Sequence, residues 1–259
     1  MISVSIITIA FNCRPVARRT IISLLAQTHA FEWVVVDGGS HDGTAEELRQ
    51  SIRSGDKMIS EPDRGIADAF NKAIRMATGD VLLFMNAGDE FASPTALADL
   101  IASWDGGHRW ITASAEVCTE DGRVLYTRIR DTAADPLRLV RLGCRIFHQA
   151  TAVERSLFAE HGDFNAAYRT SMDYELWLRW IEAGHLPQVV NNVVCRFRVG
   201  GASSAVLRRL HEERRARAAH GFSLGRWQET RLSAIALLKH GLRGIAGPLA
   251  YKCKEFLSW

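Results

Sequence analysis

The feature that most constrains this chain is a regular alternation through its first hundred residues. Apolar runs at 3–9 and 32–36, a short run at 57–60 and a fully apolar run at 81–85 predict strands. Amphipathic stretches at 15–27, 44–52 and 66–77 separate them and predict helices. The first gathers Val16, Ile21, Ile22, Leu24 and Leu25 on one face; the third gathers Ile66, Ala69, Phe70, Ala73 and Ile74. The expected fold is therefore α/β: a Rossmann-like, mostly parallel sheet flanked by helices on both faces. Ligands of such sheets lie beyond the carboxyl ends of the strands, so polar residues just after each strand are the candidates for chemistry.

The second half is less regular. Strands are expected at 125–128, 146–153 and 188–199, and a helix at 172–183 with Leu176, Trp177, Trp180 and Ile181 for the core. The small-residue run 200–204 is a natural hinge. Beyond it, 205–259 reads as helix broken at Gly221, Gly225, Gly241 and the Gly247–Pro248 pair. A chain of 259 residues accommodates one α/β domain at 1–205 and a helical C-terminal extension at 206–259. The extension holds eleven Lys and Arg against four acidic residues, which leaves the remainder slightly acidic although the whole chain carries a formal charge of +3. Five scattered cysteines, with no CxxC pair, argue against a disulfide framework or a zinc site and suit a reducing compartment. The apolar N-terminus lacks a basic leader region and a cleavage site, and no run of about 18 apolar residues occurs, so a cytoplasmic protein is expected.

Each strand end carries a motif. The first, Thr8-Ile9-Ala10-Phe11-Asn12, has no glycine and so lacks the G-x-G-x-x-G of a dinucleotide site; a phosphate-cradling G-x-x-x-x-G-K-[ST] is absent throughout. The second runs from Asp37 through Gly38, Gly39, Ser40, His41, Asp42 and Gly43 to Thr44. Its glycines permit a tight turn, and Asp37 could accept from a base or ribose; alternatively it is a strand–turn–helix capped by Asp42 or Thr44. After the third come Arg64, able to pair with phosphate, and Asn71 and Lys72; the plain reading is a solvated helix start. The fourth ends in Asn86-Ala87-Gly88-Asp89, either a simple turn or a set of oxygen ligands for a hard divalent cation.

In this order and spacing, the motifs resemble family 2 glycosyltransferases with the GT-A fold, of the type found in bacterial exopolysaccharide and lipid-linked oligosaccharide synthesis. The resemblance covers about residues 3–204. It implies a nucleotide-sugar donor, most simply a UDP-sugar, bound by Thr8, Asn12, Asp37, Arg64 and Asn71, with Mn²⁺ or Mg²⁺ held by Asp89 and Asn86. It also implies that Asp173, at the start of the 172–183 helix, removes a proton from the acceptor hydroxyl as that hydroxyl attacks the sugar, giving inversion. His148 and Gln149, and the loop glycines Gly200 and Gly201, are expected to line the acceptor and donor-sugar pocket. Two departures stand out: Gly38 replaces the second acid of the family's V-D-D-G-S, and D-x-D-D has become Asn86-Ala87-Gly88-Asp89. A nucleotidyltransferase of the same fold would open with a basic, glycine-rich loop, which 9–15 lacks; a catalytically silent nucleotide-sugar-binding or scaffold protein is the remaining alternative. The acceptor implied is a glycan or lipid-linked glycan. The basic and apolar faces of the extension suit an anionic membrane surface, which would place the protein peripherally on the inner face of the cell membrane. They also suit a second copy of the chain or its own domain. Nucleic acid is not expected, because the aromatics cluster at the extreme end rather than forming interleaved stacking platforms.

Overall fold

The computed structural model describes residues 2–128, 135–198 and 206–246. Four parallel strands form one half of a nine-stranded sheet: β1 (Val4–Ala10), β2 (Glu32–Asp37), β3 (Lys57–Ser60) and β4 (Val81–Phe84), in the order β3-β2-β1-β4. Their helical crossovers are α1 (Arg14–Leu25), α2 (Thr44–Arg49) and α3 (Ile66–Met76). A two-residue β5 (Glu90–Phe91), α4 (Ala96–Ala102), β6 (Trp110–Cys118) and β7 (Val124–Arg128) follow, then β8 (Thr151–Glu154), α5 (Ser156–His161), α6 (Met172–Glu182) and β9 (Gln188–Arg198). Beyond β4 the sheet is mixed. β8 runs antiparallel to both β4 and β6, β9 runs parallel to β6, and β5 and β7 add antiparallel pairings.

Alternation of side chains along the strands divides the core in two. Ile7, Val34, Val36 and Phe84 face Phe70 and Ala73 of α3 and Trp177 and Trp180 of α6. Ile6, Val35 and Leu83 face Leu24 of α1, Leu48 of α2 and Leu97 of α4. This double cover is why the central strands read as continuous apolar runs. Trp110 of β6 stacks on Trp177, with centroids 5.0 Å apart and planes 9° apart, and so locks α6 to the sheet.

Three expectations change. β6 was not legible, because Ala113, Ser114 and Ala115 dilute its β-branched signal; these small side chains are fully buried. Residues 146–153 are not one strand: a 3-10 turn occupies His148–Ala150, and β8 begins only at Thr151. The extension forms α7 (Val206–Ala219) and α8 (Arg226–Ala246), and α8 runs through Gly241 without a break, a glycine costing a helix only about 1 kcal/mol. Residues 247–259, including the Gly247–Pro248 pair, lie outside the described residues.

α7 packs on α6: Ala216 is buried in the core beside it, and Arg217 is 2% exposed. Both Arg217 and Tyr174 of α6 are buried, and a bidentate Arg217–Glu229 pair at 2.8 Å ties α8 to α7. Trp227, Leu237 and Leu238 of α8 are exposed. Among the described residues no helix is long and apolar enough to cross a membrane, and no cysteine forms a disulfide.

Candidate active site

The carboxyl ends of the parallel strands β1, β2 and β4 lie along one edge of the sheet, and the loops there hold one another in place. Asn12 adopts φ +45°, the one non-glycine residue with positive φ among those described. Its amide oxygen accepts from His41 N–H at 2.9 Å, and its own N–H donates to Ser40 Oγ at 2.8 Å. Asp42 caps two helices at once, accepting from Arg14 N–H at the start of α1 and from Thr44 N–H at the start of α2. The Asn86–Asp89 turn is pinned by Thr20 of α1: its hydroxyl accepts from Gly88 N–H at 2.8 Å and donates to the Asp89 carbonyl at 2.6 Å. Gly88 sits at φ +108°, which favours glycine.

On this frame five side chains converge from three parts of the chain. Asp89 accepts from Gln149 Nε2 at 2.8 Å. The Asn86 amide nitrogen contacts His148 Nε2 at 3.0 Å, and His148 Nδ1 lies 3.6 Å from Asp173 Oδ2. The 3-10 turn is what makes this possible. In a strand, His148 and Gln149 would point to opposite faces; in the turn both reach the end of β4. Asp173 lies in the first turn of α6 and accepts from Tyr174 N–H at 2.8 Å. Among the described residues no arginine is ion-paired with it.

The donor set fits a hard divalent cation. Asn86 Oδ1 is buried with no hydrogen-bond partner. Asp89 as a residue keeps some exposure, yet its carboxyl is enclosed; burial, the largest influence, pushes it up to about 6 against the pull of the His148 charge and the Gln149 hydrogen bond. An orphaned amide oxygen in the same short turn as an under-compensated carboxylate is a donor set that a cation can complete.

Four expected nucleotide ligands are engaged elsewhere. Thr8 is fully buried, its hydroxyl donating to the Met85 carbonyl and accepting from Trp33 Nε1, so it pins the core. Asp37 is also fully buried and accepts from Gly39 N–H, Ser40 N–H, Ser40 Oγ and Ser60 Oγ, which makes it the organiser of its own loop. Asn71 clamps the backbone of Phe164 through both ends of its amide, each at 2.9 Å. Arg64 points to solvent and pairs with Asp68 at 3.0 Å along α3. Gly200 and Gly201 lie outside the described residues.

Two contributors were not legible in the sequence. A Cβ placed on Gly38 would stand 2.4 Å from Asp63 Oδ2 and 3.3 Å from the Phe11 ring. The carboxylate of Asp63 thus occupies the space that an acid at position 38 would take, beside an aromatic ring left 60% exposed. Glu212 of α7 is buried and accepts from Arg169, Thr170 and Ser171 N–H and from Thr170 Oγ1, at 2.8–3.0 Å. Burial opposes its charge, but these donors outweigh it and hold the Glu212 carboxyl below the usual range. A basic tail gives no hint that one of its few acids braces the segment leading to Asp173.

The model for "Glycosyl transferase family 2" matches residues 5–177. The chain is 31% identical over 205 residues to the uncharacterized glycosyltransferase Rv1514c of Mycobacterium tuberculosis, covering 78% of this chain and 77% of that protein. It is 31% identical over 179 residues to the PGL/p-HBAD biosynthesis glycosyltransferase of Mycobacterium bovis, covering 68% of each. The putative teichuronic acid biosynthesis glycosyltransferase TuaG of Bacillus subtilis is 25% identical over 204 residues, 76% of this chain and 79% of its own. Among solved structures, a Pyrobaculum calidifontis mannosyltransferase in complex with GDP-Man and Mn²⁺ superimposes with TM-score 0.62 at 17% identity, covering 98% of this chain and 79% of that one. Residues 1–349 of Staphylococcus aureus TarS, in complex with UDP-GlcNAc, superimpose with TM-score 0.61 at 16% identity, covering 94% and 74%.

Proposed function

The chain belongs to glycosyl transferase family 2, and on that premise we propose that it moves a sugar from a nucleoside-diphosphate donor, a UDP-sugar, to a glycan or lipid-linked glycan with inversion at the sugar carbon. It is a glycosyltransferase with a GT-A-type sheet. The observation that carries the finer reading is the convergence of Asn86, Asp89, His148, Gln149 and Asp173 at the end of β4.

Asp89 and Asn86 are the residues that would hold Mn²⁺ or Mg²⁺. Such a cation, when bound, offsets the charge that develops on the departing diphosphate. Asp173 takes the proton of the acceptor hydroxyl as that oxygen bonds to the sugar carbon and the bond to the diphosphate breaks. One Asp173 oxygen is oriented by Tyr174 N–H; the other faces His148 at 3.6 Å, longer than a hydrogen bond, and so keeps its lone pairs for the acceptor. Gln149 orients Asp89, and Asp63 with Phe11 lines the base end in place of an acid at position 38. In this reading Asn12 shapes the loops around the nucleotide rather than contacting it.

For the extension we propose peripheral contact with an anionic membrane. Exposed Trp227, Leu237 and Leu238 on the same helix as Arg226 and Arg231 support that reading. Binding to anionic liposomes that falls as salt rises tests it; a chain that stays off them at low salt and sediments as a dimer assigns α8 to a subunit contact instead.

The test of the activity is a panel of nucleotide sugars with Mn²⁺ or Mg²⁺, followed by release of nucleoside diphosphate with and without glycan acceptors. Turnover that Asp173→Asn removes supports the reading. Nucleotide-sugar binding without turnover on any acceptor makes this a silent binding protein of the same fold.

A further inference from the structure

The strongest unassigned cluster lies at the other end of α6, with about 14 Å of helix axis between Asp173 and Glu182. Glu160 and His161 close α5, and His185 stands in the turn after α6. One carboxylate oxygen and one ring nitrogen from each histidine all lie within 4.8 Å of one another. The two Nε2 atoms face each other at 3.0 Å, and Glu160 Oε2 is 3.9 Å from His161 Nε2. We propose that Glu160, His161 and His185 form a second metal site, for a borderline cation such as Zn²⁺, which clamps the end of α5 to the turn after α6.

The donor set separates this site from the one at Asp89. Two imidazoles and one carboxylate suit zinc, whereas Mg²⁺ and Mn²⁺ favour all-oxygen sets such as Asp89 and Asn86. The histidine backbones are fixed without an ion. His185 N–H donates to the Trp180 carbonyl at 2.9 Å, and the His185 carbonyl accepts from Nε1 of buried Trp110 at 3.0 Å. The His161 carbonyl accepts from Arg179 at 2.6 Å. Glu160 is oriented by Arg109, whose guanidinium reaches both its oxygens at 2.6 and 2.7 Å while also holding Glu154 at 2.8 Å. Two carboxylates against one guanidinium leave net negative charge beside the histidine pair, which favours a cation. The same two nitrogens without a metal make a single ring-to-ring hydrogen bond, and the experiment separates the two cases.

The full chain, stripped with a chelator, is titrated with Zn²⁺ alone, and bound zinc and the unfolding temperature are followed. We expect wild type to take up zinc and to unfold at a higher temperature. His161→Gln and His185→Gln each replace a ligating ring by a side chain that still hydrogen-bonds. Each should lower zinc affinity by more than the roughly 10–100-fold that losing a mere supporting partner costs. Both variants should keep cooperative metal-free unfolding; if His185→Gln fails to fold, His161→Gln, at the end of α5, carries the test. No zinc uptake by wild type overturns the site, as does uptake that the folded variants leave unchanged.

Discussion

The Glu212 carboxylate accepts the backbone N–H of Ser171 at 3.0 Å, two residues before Asp173. Through this and its bonds to Arg169 and Thr170, α7 holds the segment from which the proposed base projects. Glu212→Ala removes the acceptor for three backbone donors at once. It is expected to cost about 2–4 kcal/mol in stability, measured by denaturant unfolding. Turnover should fall more than nucleotide affinity, because the displaced group is Asp173 and not the diphosphate site. Glu212→Gln keeps one acceptor oxygen and should fall between wild type and Glu212→Ala.

Asp173→Asn keeps shape and removes basicity. Turnover should drop by about 10²–10⁴-fold while nucleoside-diphosphate affinity and unfolding temperature stay near wild type. The comparison to make is kcat beside a nucleotide titration on the same preparation; unchanged kcat would take the base role away from Asp173.

Metal binding should depend on pH in a direction set by Asp89. Its carboxyl, raised from the ordinary value to about 6 by burial, must lose its proton to ligate. Mn²⁺ affinity is therefore expected to be flat above about pH 7 and to fall by about tenfold per unit below 6. The sign for stability is the reverse. A raised acid pKa favours the protonated fold, so the metal-free protein should lose stability as pH rises from about 4 through 6, and Mn²⁺ should restore it. Asp89→Asn should flatten both profiles in paired titrations and melts.

The sequence made the frame legible where local periodicity and burial agree: the four parallel strands and three crossover helices match to within a few residues. Asn86 and Asp89 could be read from their place at a strand end, and His148, Gln149 and Asp173 from the family resemblance; the 3-10 turn that brings His148 and Gln149 to them was not legible. What sequence did not disclose was set by tertiary contact. Thr8, Asp37 and Asn71 look like ligands by position, but their polar atoms are engaged by Met85, by the Asp37 loop and by Phe164. Arg64 has a partner four residues on that satisfies it at the surface. β6 hides behind small buried residues that carry little strand signal, and no local signal marks Glu212, which acts across 41 residues of chain.

Asp63 and Gly38 give a final test, by exchange. The Asp63 carboxylate fills the place of a side chain at 38, with Oδ2 2.4 Å from where that Cβ would stand. Gly38→Asp restores the acid common in the family yet sets a second carboxylate against the first. The obstructing oxygen is the far end of a partly exposed side chain that can swing aside, so the cost comes chiefly from the repulsion of two like charges. The single variant should be destabilised and bind nucleotide more weakly. Asp63→Ala alone should also weaken nucleotide binding, because the base end loses its carboxylate, but without loss of stability beyond the released Gly65 N–H bond. Gly38→Asp with Asp63→Ala removes the clash and returns one acid to the site, so the double variant should bind nucleotide better than either single one. That reversal is a coupling that independent surface positions would not show. Additive losses, measured by nucleotide titration and thermal unfolding of all four proteins, would mean that Asp63 does not stand in for the missing acid.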